Sequence, residues 1–101
     1  MKNFIVDLEY LVPMDQVEPH IKGHMDFVAK GYDKGFFIAS GAKVPRTGGV
    51  ILAKADEREA LAGYCNTDPF VISGIAKMTI TEFIARRTID EASDVFAPPE
   101  G

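Results

Sequence analysis

The feature that most constrains this chain is a repeated change of hydrophobic period. Residues Asn3 to Leu11 place Phe4, Val6, Leu8 and Tyr10 on one side and Asp7 and Glu9 on the other. That two-residue period predicts a strand half-buried in a sheet. Pro13 ends it. From Met14 to Lys34 the apolar residues Val17, Ile21, Met25, Val28 and Tyr32 recur at intervals of three and four, the stripe of an amphipathic helix. Asp15 and Glu18 form a D-x-x-E start of capping-box type. An alternative start lies near Glu18, with Pro19 at the first helical position, where its missing N–H goes unnoticed. Gly35 is placed to stop the helix in the left-handed conformation.

The second half repeats the pattern. Phe36 to Ser40 reads as a strand, Gly41 to Gly48 as a loop, and Gly49 to Lys54 as a second strand, most simply paired as a hairpin. Asp56 and Glu59 open another D-x-x-E start, followed at helical spacing by Ala60, Leu61, Tyr64 and Cys65. This helix runs to about Asn66. Thr67-Asp68-Pro69-Phe70 interrupts it, because a residue before proline leaves the helical region. Ala76 to Arg87 is rich in strand formers. The order β-α-β-β-α-β is the split βαβ, ferredoxin-like arrangement, an α+β fold with two helices on one face of a four-stranded sheet. Residues 1–87 are expected to form one domain, and 88–101 an acidic, proline-containing tail docked through Val95 and Phe96.

The other face of the sheet needs a cover. Phe36 and Ile38 oppose Phe37 and Ala39 across the first hairpin strand, and Val50 and Leu52 oppose Ile51 and Ala53 across the second. A solvated face would alternate with polar residues. A second copy packed there, giving a C2 homodimer with a dimeric α+β barrel, is the expectation. The alternative is that the tail covers this face within one chain.

Composition removes several classes. With 47% apolar and 26% charged residues in 101, the chain is an ordinary globular domain. It can hide roughly 65% of its unfolded surface, enough for a core without disulfides. A net charge of -4 argues against nucleic acid, whose binders are usually basic. Asp7 and Glu9 break the apolar run at Phe4-Ile5-Val6, so it is no signal-peptide core. No stretch is long enough to span a membrane. The lone Cys65 makes no internal disulfide. A cytoplasmic protein is expected.

The candidate chemistry centres on His24 and Asp68. His24 sits inside the apolar stripe, so it points at the sheet or a pocket, where an imidazole must bond through its nitrogens. A satisfied structural histidine is the plainer alternative. His20 stands four residues earlier, a metal-ligand spacing, but no HExxH glutamate or third ligand accompanies the pair, and no metal is expected. Antiparallel helices in this fold bring the end of the second beside the first half of the first, which sets Asp68 near His24. A carboxylate there would fix the imidazole tautomer for general acid/base work. Asp68 would otherwise cap a backbone N–H before Pro69. Ser40 and Gly41 end a strand at the Gly/Pro loop, where Gly41, Gly48 and Gly49 let backbone N–H groups approach a ligand and Arg46 supplies a cation. Arg46 on an exposed hairpin is the simpler reading of that residue. Cys65 reads as core.

Taken in order, His24, Gly35-Phe36, Ser40-Gly41, Gly48-Gly49 and Asp68-Pro69-Phe70 with Gly74 resemble the YciI-like (YCII-related) family over roughly Phe4 to Arg87. The resemblance implies a dimeric α+β barrel and an active site built on a His–Asp pair, here His24 and Asp68. Ser40, Gly41, Arg46 and Phe70 would contact a small-molecule ligand. Ala42 stands where the family's Ser-Gly-Pro turn has proline. Only Lys22, in a displaced position, stands for the basic residue that often precedes the histidine. Some members resemble lyases or dehydrochlorinases of aromatic breakdown. The implied function is cofactor-independent acid/base chemistry, by elimination or hydrolysis, on a small molecule of aromatic or hydroxylated type. A non-catalytic metabolite-binding or interaction module is the alternative, and a cofactor-free monooxygenase a third.

Overall fold

The computed structural model describes residues 1–96, and the Pro98-Pro99-Glu100-Gly101 end of the tail lies outside them. Four strands form one antiparallel sheet: β1 (Lys2–Tyr10), β2 (Phe37–Ala42), β3 (Gly48–Ala55) and β4 (Ala76–Phe83), in the spatial order β2-β3-β1-β4. The helices are α1 (Met14–Val17), α2 (Ile21–Asp33), α3 (Arg58–Cys65) and α4 (Pro69–Ile72), with a tight 3₁₀ turn over Glu18–His20. This is the α+β, ferredoxin-like arrangement expected from the period changes.

Strand parity builds the core. Phe4, Val6 and Leu8 of β1 and Ile51, Ala53 and Ala55 of β3 face the helices and are buried. Phe27 and Val28 of α2, Leu61 and Cys65 of α3, and Phe70 of α4 meet them. Burial of a Phe or Leu side chain is worth about 1.5–3 kcal/mol, so this cluster carries the fold. Tyr64 locks α3 to α2: its ring stacks on Phe27 at 4.8 Å, and its hydroxyl donates to the Phe27 carbonyl at 2.6 Å.

The first helix combines both predicted starts. It begins at Met14, tightens at Glu18–His20 where Pro19 sits, and resumes at Ile21. Neither D-x-x-E start forms its cap, because Pro13 and Glu57 occupy the capping positions without a side-chain bond. Gly35 stops α2 as expected, at φ +82°. The Phe36 N–H reaches the Gly31 carbonyl and the Gly35 N–H the Tyr32 carbonyl, the paired bonds of a Schellman end.

Several strand limits differ from the sequence reading. β2 starts at Phe37, since Phe36 completes the helix end, and it continues through Ser40, Gly41 and Ala42. β3 starts at Gly48, so the loop holds only residues 43–47. Gly48 fits there because a Cβ would run into the backbone carbonyl of Leu8. β4 stops at Phe83, opposite Asn3, one residue short of the start of β1 at Lys2. Beyond it Phe96 comes back to the outer face, with ring centroids 6.4 Å from Phe83. The rest of that face stays open: Ile5 is exposed and Ile38, Val50 and Leu52 are half-buried.

Candidate active site

The second turn of α2 carries His24, and the residue before α4 is Asp68. His24 Nδ1 lies 3.0 Å from both Oδ1 and Oδ2 of Asp68. Asp68 Oδ1 also accepts from the Phe70 N–H at 3.0 Å, which caps α4. The carboxylate is 1% exposed. One carboxylate therefore makes both contacts weighed in the sequence, to the His24 ring and to a backbone N–H. The two elements approach closely because residue 23 is glycine: a Cβ there would meet Pro69 Cγ at 3.0 Å. Gly23 and Pro69 are the immediate neighbours of His24 and Asp68, so this contact sets their separation.

Packing fixes the imidazole plane. Its ring stacks on Phe70 with centroids 4.1 Å apart and 9° between planes. Phe70 in turn meets Tyr10 edge-on at 5.7 Å. A carboxylate can only accept, so the proton of a neutral imidazole sits on Nδ1 and the lone pair on Nε2. No described residue bonds Nε2.

His24 and Phe70 border a pocket of about 220 Å³ between the sheet and α2. Its sheet side is nearly flat. Ala42, Gly49 and Leu8 lie side by side across three strands, and two of the three carry almost no side chain. Ile21, Met25 and Val28 of α2 lie opposite, and Tyr10, Ser40 and Arg46 complete the lining. A cavity of roughly 150 Å³ holds benzene, so this space suits one substituted ring.

The sequence model of the YCII-related domain matches residues 4–84. The chain belongs to the YCII-related domain family. No curated protein matches it. Among solved structures it is similar to 5-chloro-2-hydroxyhydroquinone dehydrochlorinase from Burkholderia phenoliruptrix AC1100, determined in complex with 2,5-dihydroxybenzoquinone. The TM-score is 0.68 and the identity 14%, over 80% of this chain and 92% of the dehydrochlorinase chain. At that identity the likeness speaks for the fold.

Within this YCII-related domain the remaining sequence candidates fall into two groups. Ser40, Gly41, Arg46 and Phe70 join His24 around the pocket. Ser40 and Gly41 do so from inside β2 and not from a turn, because Ser40 pairs with Ile51 and Gly41 with Val50. Lys22 does not reach the pocket. It is 93% exposed and pairs with Asp26 at 3.7 Å. Cys65 is core, as read, and burial with the nearby Asp68 charge pushes its thiol up to about 12. Among the described residues no three His, Cys, Asp or Glu side chains gather as a metal site.

Two site residues escaped the sequence reading as functional groups. Tyr10 lines the pocket although its strand position marks it only as core-facing. Tyr32, read as part of the buried stripe, is 40% exposed. Its hydroxyl shares a 2.9 Å hydrogen bond with Ser40 Oγ. A polar ring tip at the end of an apolar stripe is the signal that could have marked it.

Proposed function

We propose that this domain is a small acid/base enzyme, independent of cofactors, acting on a single-ring hydroxylated molecule. The observation that carries the proposal is the histidine held through Nδ1 by a buried carboxylate, with Nε2 free beside a ring-sized pocket. In this reading Nε2 removes a proton from the substrate, and Asp68 stabilises the imidazolium that forms. Proximity to the dehydrochlorinase fold favours elimination. The electron pair left by the departing proton expels the leaving group, and His24 then releases its proton, so the net change is loss of H–X with no oxidant needed. Ser40, Gly41 and Phe70 would seat the ring.

The test is release of chloride from a chlorinated hydroxyhydroquinone by the purified protein. Turnover by the wild type and its loss in His24→Ala supports the proposal. Equal turnover in both, or ligand-induced stabilisation with no conversion of any ring substrate, sinks it and leaves a binding module.

The proposal includes a homodimer in the cytoplasm, formed through the open face around Ile5, Val50 and Leu52, with residues 1–87 as the folded unit. A contiguous apolar face of this kind is a typical association surface. Light scattering should give twice the 11.1 kDa chain mass, reduced to one chain by Ile5→Lys. A monomeric wild type would refute the dimer.

A further inference from the structure

The charges at the pocket are one-sided. Asp68 lies behind His24 and does not line it, and no other Asp or Glu does. Arg46 is the one permanently charged lining residue. Two cations close to it are already paired with carboxylates. Lys43, in the same loop, donates to Asp7 Oδ1 at 2.7 Å. Lys22 pairs with Asp26 on the outer surface of α2. Arg46 pairs with no carboxylate among the described residues, in a protein with an excess of acids. A guanidinium left free beside a slot is a recognition group for a planar oxyanion, which it can meet with two parallel N–H donors.

The shape agrees with the charge. Gly49 and Ala42 keep the sheet side flat, and Val28 of α2 lies across from it. A planar ring fits such a slot, and a tetrahedral anion such as phosphate uses its flatness poorly. We infer that the pocket selects its ring substrate in the anionic form, with an ionised ring oxygen or carboxylate on Arg46 and the opposite edge toward His24 Nε2. This rests on the acid/base reading for the direction of the ring, and it adds the charge state of the substrate and the residue that selects it.

Calorimetric titration with two ligands of one ring skeleton tests this. One is 2,5-dihydroxybenzoquinone, ionised at neutral pH. The other is its neutral dimethyl ether. The wild type should bind the anion at least tenfold more tightly, and added salt should shrink that preference, because Arg46 is exposed. Arg46→Gln should abolish the preference while binding the ether as before, and Arg46→Lys should keep part of it. An unchanged preference in Arg46→Gln, equal affinity of the wild type for both ligands, or binding of neither would overturn the inference. Binding and turnover fail separately. Charge selection through Arg46 without chloride release would remove the proposed enzyme and leave this inference standing. Turnover that needs His24, with charge preference indifferent to Arg46, would do the reverse.

Discussion

Substituting Asp68 separates the two tasks that its carboxylate performs. Asp68→Ala removes the cap on the Phe70 N–H, worth about 1 kcal/mol. It also strips His24 Nδ1 of its partner in a side chain only 16% exposed, and an unpaired buried polar group costs roughly 1–3 kcal/mol. The sum is about 2–4 kcal/mol, which should move a urea midpoint by on the order of 1 M or more. Asp68→Asn keeps an oxygen for the Phe70 N–H and places an amide beside Nδ1. The loss is then the difference between a charge-assisted and a neutral hydrogen bond, about 1 kcal/mol. The amide donates where the carboxylate accepted, so the imidazole proton should move from Nδ1 to Nε2. Urea unfolding of the three proteins measures the first effect, and ¹⁵N spectra of the neutral His24 ring measure the second. If Asn costs as much as Ala, or the tautomer stays put, the two tasks given to the Asp68 carboxylate are wrong.

Other consequences follow from single contacts. Gly48→Ala should cost about 3 kcal/mol or more, since the Leu8 carbonyl in its way is backbone and cannot rotate aside. Gly41→Ala, with nothing within 4 Å of its new Cβ, should stay within ~0.5 kcal/mol, and thermal melts of the two variants check both values. Asn3 is buried with Nδ2 unpartnered among the described residues, so Asn3→Val should raise stability by about 1 kcal/mol, and a loss would show an unrecognised role for the amide. Cys65 should resist thiol reagents in the folded protein at neutral pH and react on unfolding. The unfolded thiol ionises near its ordinary 9.0 and the folded one near about 12. Between those values the folded state keeps a proton that the unfolded state has lost, so this group's contribution to stability should fall as pH rises through that window. Comparing wild type with Cys65→Ala across it isolates the thiol's contribution.

Much of the fold was legible because its cause is local. The period changes of β1 and α2 follow from which side chains must face the core, and Gly35 stops a helix for reasons carried by one residue. Asp68-Pro69 marked a turn for the same kind of reason. What stayed hidden depends on contacts distant in sequence. α4 spans four residues, too short for a period to show. The sequence cannot say that β4 stops opposite Asn3, that the Leu8 carbonyl leaves no room for a Cβ on Gly48, or that Ser40 to Ala42 pair with β3. The capping carboxylates Asp15 and Asp56 looked right locally, yet the chain enters both helices elsewhere. In the site, topology suggested that His24 meets Asp68, but the contact of Gly23 with Pro69 that sets their distance is visible only in three dimensions. The same holds for the bond from Tyr32 to Ser40.

In the proposed mechanism a ring ligand meets His24 at Nε2 while Asp68 keeps Nδ1. Titrating ¹⁵N-histidine-labelled protein with 2,5-dihydroxybenzoquinone addresses it directly. The His24 Nε2 resonance should shift saturably, with the Nδ1 signal and the spectrum of His20 nearly still. A ligand that binds without moving Nε2, or that displaces Nδ1 from Asp68, would contradict it.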